Sequence, residues 1–279
     1  MNILKTVEET RRATREARAQ GKRIGFVPTM GALHAGHISL VRAAKAQSDF
    51  VAVSIFVNPT QFGPKEDYSK YPRTFESDRE LLESEGVDLI FAPSVQEMYP
   101  SGAATYVTVE GLSEKLDGRS RPGHFRGVST IVSKLLHVIE PDVAFFGQKD
   151  AAQVAIIRRM VRDLDFAVEI VVCPIVREPD GLAMSSRNAY LDPEQRQSAL
   201  ALHRSLLRIE GLAKNGETDV ARLVAAGKNT LAEEPSIRLD YLEIVDPETL
   251  DPITIVSPGA LVAVAAYVGS TRLIDNLLL

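Results

Sequence analysis

The chain has 279 residues, 45% of them hydrophobic and 25% charged, with a formal net charge of −5. That length suits one large domain or two modest ones around a sizeable core. The acidic balance argues against a broad nucleic-acid-binding surface but leaves room for a local cationic pocket.

The single cysteine, Cys173, excludes an intramolecular disulfide framework and a multi-cysteine zinc site. It lies in the strand-like run "AVEIVVCPIV", where an inert buried thiol is expected. No apolar run reaches the ~18 residues of a membrane span. The N-terminal "MNILKTVEETRRATREARAQGK" is charged throughout and has no apolar signal core, so a cytoplasmic location is expected.

Residues 3–20 read as a helix with a weak apolar stripe of Leu4, Val7, Ala13 and Ala17. "RIGFVP" follows as a short buried strand, then a glycine-containing turn, and "HISLVRAAKAQ" is helical through Ile38, Val41 and Ala44. "FVAVSIFV" (50–57) is a β-branched and aromatic run of the kind covered on both faces. Residues 73–85 predict a charged helix ending at Gly86, and "VDLIFAP" another buried strand. Val128, Ile131, Val132, Leu135, Leu136 and Ile139 stripe a helix that stops before Pro141. "VAFFG" (143–147) is a strand, Val154, Ile157, Val161 and Leu164 mark the next helix, and "FAVEIVVC" is a strand again. Alternating strands and helices predict a doubly wound, mostly parallel α/β sheet of the Rossmann-like class.

The texture changes after "PIVREPDGLAMSSRN". Helices over 193–214 and 218–234 precede the strand-like "RLDYLEIV", "ALVAVAAYV" and "RLIDNL". The expected division is a domain over 1–176 and a smaller α+β domain over 177–279 that carries the "MSSRN" loop at its start.

The first strand ends near Pro28, so "TMGALHAGH" sits where doubly wound sheets bind ligands and leads into a helix. Unpaired amides at that helix start suit phosphate. Gly31 and Gly36 leave the backbone accessible, and the spacing of three puts His34 and His37 on one side of a turn. Taken alone, an H-x-x-H pair is more often a pair of surface or core histidines in a tight turn. A zinc site would need a third ligand, and neither Cys173 nor His124 lies at a ligand spacing.

The H-x-G-H element resembles the signature of the nucleotidyltransferase superfamily that includes class I aminoacyl-tRNA synthetases, which pair it with a later K-M-S-K-S-type loop. Here that loop is "AMSSRN", with Met184, Ser185, Ser186 and Arg187; two hydroxyls beside a guanidinium suit a departing pyrophosphate. "PTMGALHAGH", "SIFVNPTQF", "YPRT", "HFRGV", "FFGQKD", "REPDGLAMSSRNAYL", "DYLEIVDPETL" and "TRLIDN" narrow the resemblance to the pantothenate synthetase family, from about residue 20 to the end.

That resemblance implies ATP-dependent condensation of pantoate with β-alanine through a pantoyl adenylate, in a homodimer that binds small molecules and neither nucleic acid nor membrane. It implies an ATP site of Met30, Gly31, Ala32, Leu33, His34, Ala35, Gly36 and His37, then Gly147, Gln148, Lys149 and Asp150, then Val176 beside adenine, then Met184, Ser185, Ser186 and Arg187. His37, His34, Lys149 and Arg187 are the implied catalytic groups. Gln61 and Gln153 are assigned to pantoate, with Asn58 supporting Gln61 and with Pro28 and Met30 as apolar walls. Asp150 suits a ribose hydroxyl or a helix cap, and Arg121, His124, Tyr71 and Asp78 stand between covering the site and ordinary structural roles. ATP implies Mg²⁺, which keeps several waters and bridges phosphates, so no residue is named as a metal ligand. Another nucleotidyltransferase and a non-catalytic nucleotide binder remain as the alternatives. The short C-terminal region and acidic charge count against a tRNA synthetase, and the glutamine motifs against a plain adenylyltransferase.

Overall fold

A computed structural model describes residues 1–64 and 66–279. The chain opens with strand β1 (Asn2–Leu4) and helix α1 (Val7–Ala19), then β2 (Ile24–Thr29), α2 (Ala35–Gln47) and β3 (Phe50–Ile55). Helix α3 (Phe75–Ser84), β4 (Leu89–Phe91) and two single-turn helices, α4 (Val95–Met98) and α5 (Asp117–Ser120), lead to α6 (His124–Ile139). Then come β5 (Val143–Gly147), α7 (Ala151–Asp163) and β6 (Glu169–Cys173). The remainder is α8 (Pro193–Lys214), α9 (Val220–Ala232), β7 (Ile237–Val245), β8 (Leu261–Val268) and β9 (Thr271–Leu278).

Strands β1 to β6 form one sheet in the order β1-β4-β3-β2-β5-β6, with every pairing parallel. Its two faces carry separate apolar layers. Phe26, Ala52, Phe91 and Phe146 pack with α6 and α7 on one side, and Val27, Val53, Ile90 and Phe145 pack with α2 and Leu82 on the other. Burial on both faces is why these strands read as continuous apolar runs. The chain winds outward from β2 through β3 and returns to β2's other side as β5, so the order reverses between β2 and β5. The crevice at their carboxyl ends is where such a sheet leaves room for a ligand.

The expected helix over 3–20 is corrected: residues 2–4 are a strand paired with Leu89–Phe91, and the helix begins only at Val7. Thr6 sets that start by accepting the Glu9 N–H on its side chain. The buried stripe of α1 is Thr10, Thr14 and Ala17; Thr10 bonds back to the Thr6 carbonyl (2.8 Å) and Thr14 to that of Arg11 (3.2 Å). The strand expected over 50–57 ends at Ile55, and the short helices α4, whose Ser94 cap accepts the Glu97 N–H, and α5 are additions to the predicted elements.

Strands β7, β8 and β9 form a small antiparallel sheet. Val262, Val264, Ala266 and Val268 of β8 pack under α8 and α9, while Leu261, Ala263 and Ala265 join the large domain's core beside Tyr241 and Val245. Cys173 ends β6 as a buried thiol, and burial pushes its pKa up.

Gly127 of α6 brings this helix against the turn over 59–61. A Cβ there would lie 2.3 Å from the Thr60 carbonyl oxygen and 2.6 Å from the Gln61 nitrogen, both backbone atoms. Gly127→Ala should therefore destabilise the protein by about 1–3 kcal/mol, as overpacking does. Urea unfolding measures it, and an unchanged midpoint would show that the turn moves freely.

Candidate active site

The first turn after β2 is held by side chains rather than by apolar packing. Thr29 donates its hydroxyl to the Ser54 carbonyl (2.7 Å) and accepts the Gly31 N–H (3.2 Å). Gly31 and Ala32 then take positive φ, +82° and +51°. For Ala32 that costs about 1–2 kcal/mol. The buried Asp78 carboxylate offsets the cost by accepting the Ala32 (2.9 Å) and Leu33 (2.8 Å) amides, charge-assisted bonds that contribute about 1.5–3 kcal/mol each. Asp78 also accepts the Thr74 hydroxyl (3.2 Å), so it holds the turn rather than covering a ligand.

His34 is the N-cap of α2. Its Nδ1 accepts the Gly36 N–H (3.2 Å), and His37 Nδ1 reaches back to accept the His34 N–H (3.3 Å), a reciprocal capping box made of two imidazoles. An accepting Nδ1 carries no proton, so each neutral ring has its N–H at Nε2. Burial, then His34, then Lys149 bring the His37 pKa down to about 3; burial and then Lys149 lower that of His34. The ring centroids lie 4.1 Å apart.

Both rings line a cavity of about 220 Å³ at the carboxyl ends of β2 and β5. Met30, Gly36, Gly147, Lys149, Asp150, Val176, Met184, Ser185, Ser186 and Arg187 line the same cavity, as do Asn58, Gln61 and Gln153. Gly31, Ala32, Leu33 and Ala35 do not; they shape the turn beneath it. Gln148 does not either. Its side chain donates to Asn276 of β9 (3.0 Å), and Asn276 donates to the Gln148 (3.0 Å) and Lys149 (2.8 Å) carbonyls, so the small sheet fixes the "QKD" turn.

Beyond Pro28 and Met30, the apolar wall includes Val128, Ile131, Val132 and Leu135 of α6. Their spacing signals a helix face, and nothing in it distinguishes a cavity wall from core. Asp150 makes no capping bond at the start of α7, so its carboxylate is left at the cavity, 3.8 Å from Lys149 Nζ.

Asn58 donates to Gln61 Oε1 (3.1 Å) and to the Gly127 carbonyl (3.0 Å), while its own oxygen accepts from Tyr99 (2.8 Å) and Thr60 (3.0 Å). This fixes the Gln61 amide with its nitrogen toward Met30. His124 donates from Nδ1 to the Gln61 carbonyl (2.8 Å) and accepts from Arg121 at Nε2 (3.1 Å); burial and that guanidinium bring its pKa down to about 4. Arg121 and His124 thus position Gln61 and line a larger adjoining cleft of about 790 Å³, which shares Lys149, Asp150, Gln153, Ser185 and Arg187 with the first cavity. Tyr71, which lines the first cavity, meets Ser186 through its hydroxyl (3.2 Å). Among the described residues, no group of three His, Cys, Asp or Glu is arranged to hold a metal ion.

A family model for pantoate-beta-alanine ligase matches residues 2–278. The pantothenate synthetase of Koribacter versatilis is 65% identical over 279 residues, covering 100% of this chain and 96% of that protein. The crystal structure of pantothenate synthetase from Thermus thermophilus is 50% identical with a TM-score of 0.95, covering 100% of this chain and 99% of that one. The pantoate-beta-alanine ligase from Francisella tularensis, solved in complex with beta-gamma ATP and beta-alanine, is 36% identical with a TM-score of 0.82, covering 100% and 97%. Full-length agreement in sequence and fold, on a chain whose strand-end histidines share a cavity with Lys149 and Arg187, makes this protein a member of the pantoate–β-alanine ligase family.

Proposed function

We propose that this chain condenses pantoate with β-alanine at the expense of ATP, through an acyl adenylate. The pantoate carboxylate attacks the α-phosphorus, and the bond to the β-phosphate oxygen breaks to release pyrophosphate. The β-alanine amine, having lost its ammonium proton, then attacks the acyl carbon and AMP leaves. A bare carboxylate is a poor acyl donor, and the adenylate supplies the leaving group.

One observation carries this reading: a single cavity is lined by the neutral His34 and His37 pair, by Lys149 and Arg187, and by Gln61 and Gln153. Nε2–H groups and cations suit developing phosphate charge, and neutral amides suit an acid bearing two hydroxyls. In this reading His34, His37, Lys149 and Arg187 serve the phosphates, and Met30, Gly147, Asp150, Val176, Met184, Ser185 and Ser186 complete the nucleotide site. Gln61 and Gln153 hold pantoate, and Asn58 keeps Gln61 in place. Gly31, Ala32, Leu33, Ala35, Gly36 and Gln148 shape the backbone around the nucleotide.

The donor set fits a magnesium ion brought on the ATP phosphates, with Asp150 the one carboxylate among the described residues lining the smaller cavity. Such an ion neutralises phosphate charge. We also take the chain to divide near residue 176, the second part closing over ATP to shield the adenylate from water. The separate core under α8 and α9 supports that division. A homodimer in the cytoplasm completes the reading; the dimer rests on the family likeness, and sedimentation measures it.

Pantoate-dependent exchange of pyrophosphate into ATP, without β-alanine, tests the reaction; ATP binding with no exchange would overturn it. His37→Ala should slow that exchange at least ~10²-fold, as loss of a transition-state donor does. A drop below about tenfold at saturating ATP would remove His37 from its role. Gln61→Ala should raise the KM for pantoate far more than that for ATP, and equal effects on both would reject its placement.

The histidines also give stability a pH dependence. His37 and His124 stay neutral in the folded chain down to about 3 and about 4, whereas unfolded histidine takes up a proton near 6.5. The unfolded state then binds more protons, so their contribution is whole above 6.5 and shrinks as pH falls toward 4. Urea-unfolding free energies should decline over that window, less steeply in His124→Gln, and parallel slopes would contradict the burial argument.

A further inference from the structure

Arg187 is already engaged on one edge. Its Nε and Nη2 each donate to one oxygen of Asp67, both at 3.0 Å. A guanidinium has five N–H groups, and this fork uses two. Both protons on Nη1 and one on Nη2 remain, with no acceptor for Nη1 among the described residues, and Arg187 lines both cavities.

Asp67 is itself fixed through its neighbours. Glu66 forks onto Arg121 (2.7 and 2.6 Å), which donates to the Gln61 carbonyl (3.3 Å). Tyr71 meets Ser186 (3.2 Å), and Tyr190 donates to the Lys70 carbonyl (3.3 Å). Adjacent carboxylates therefore tie the turn that carries Gln61 to the turn that carries Arg187.

We propose that Asp67 is a positioning residue for the reaction, holding Arg187 by its Nε edge so that the Nη1 edge meets the polyphosphate. The proposal rests on the adenylate-forming reading above. A free arginine side chain samples many rotamers, and a pre-held fork has already given up much of that freedom. The fork takes Nε and one Nη2 proton, so a phosphate can accept from Nη1 while Asp67 stays bound.

The test is pantoate-dependent pyrophosphate–ATP exchange in the full chain, comparing wild type, Asp67→Asn, Arg187→Ala and the double variant. Asp67→Asn should lower kcat about tenfold, the scale of a slightly misplaced group, while the KM for ATP moves less than about threefold. In the Arg187→Ala background the same substitution should cost nothing further. Asp67→Glu, which keeps the fork on a longer stem, should recover part of the loss and serves as the folded reference if Asp67→Asn proves unstable. A kcat within about twofold of wild type, a faster Asp67→Asn, or an equal loss in the Arg187→Ala background would overturn the proposal. Wild-type protein without exchange would overturn the adenylate reading and this inference with it; active wild type beside an Asp67→Asn of unchanged kcat would overturn this inference alone.

Discussion

The site depends on one buried carboxylate taking two backbone amides. Asp78 on α3 reaches the Ala32 and Leu33 N–H groups and so stabilises consecutive left-handed residues that the chain would otherwise avoid. The direction in which the chain enters α2 follows from that turn. Capping by His34 and His37 then uses both Nδ1 atoms on backbone amides, which leaves both Nε2–H groups as donors. A protonated histidine could not accept at Nδ1, so the helix cap and the neutral state support each other.

Charge is distributed with the same economy. The chain is net acidic, yet Lys149, Arg187, Arg121 and Arg272 all border the cleft. The three arginines are hydrogen-bonded to carboxylates at 3.0 Å or less: Arg187 to Asp67, Arg121 to Glu66, and Arg272 to Asp117 and Asp240. Partly buried pairs of this kind are weak evidence for stability and are more informative about geometry. Arg272 lies on β9 and Asp117 on α5, so their bond (2.6 Å) crosses between the two sheets' domains. Among the described residues Lys149 pairs with Asp150 alone, at 3.8 Å, which leaves its ammonium the least committed cation of the set.

The small sheet does more than cap the large one. Ala263 and Ala265 let β8 approach the large core closely, and Asn276 holds the backbone that presents Lys149. Arg177 forks onto the buried Asp275 (2.6 and 3.0 Å), which secures the strand-like bridge between Arg177 and Ala183 just before Met184. Two cation-bearing turns far apart in sequence, 148–150 and 184–187, are thereby anchored to one strand.

Much of this was legible in the residues themselves. Runs such as 50–55 and 143–147, and the stripe of α6, reflect burial of a strand's two faces or one helical face, and that pattern is local. The histidine spacing was legible as two rings on one turn, but their capping was not: the Gly36 N–H, expected free for phosphate, is taken by His34 Nδ1. Three things were decided only by tertiary structure. Residues 2–4 became a strand because a distant strand, Leu89–Phe91, offers its open edge. Val128, Ile131, Val132 and Leu135 became a cavity wall rather than filled core because the 58–61 turn stands over them against Gly127. Asp78 and Asp67 acquired their partners only when α3 and the 66–71 segment came to lie against turns from other parts of the chain. Periodicity encodes which face of an element is apolar; which polar group meets which is fixed by distances that exist only once the elements are packed.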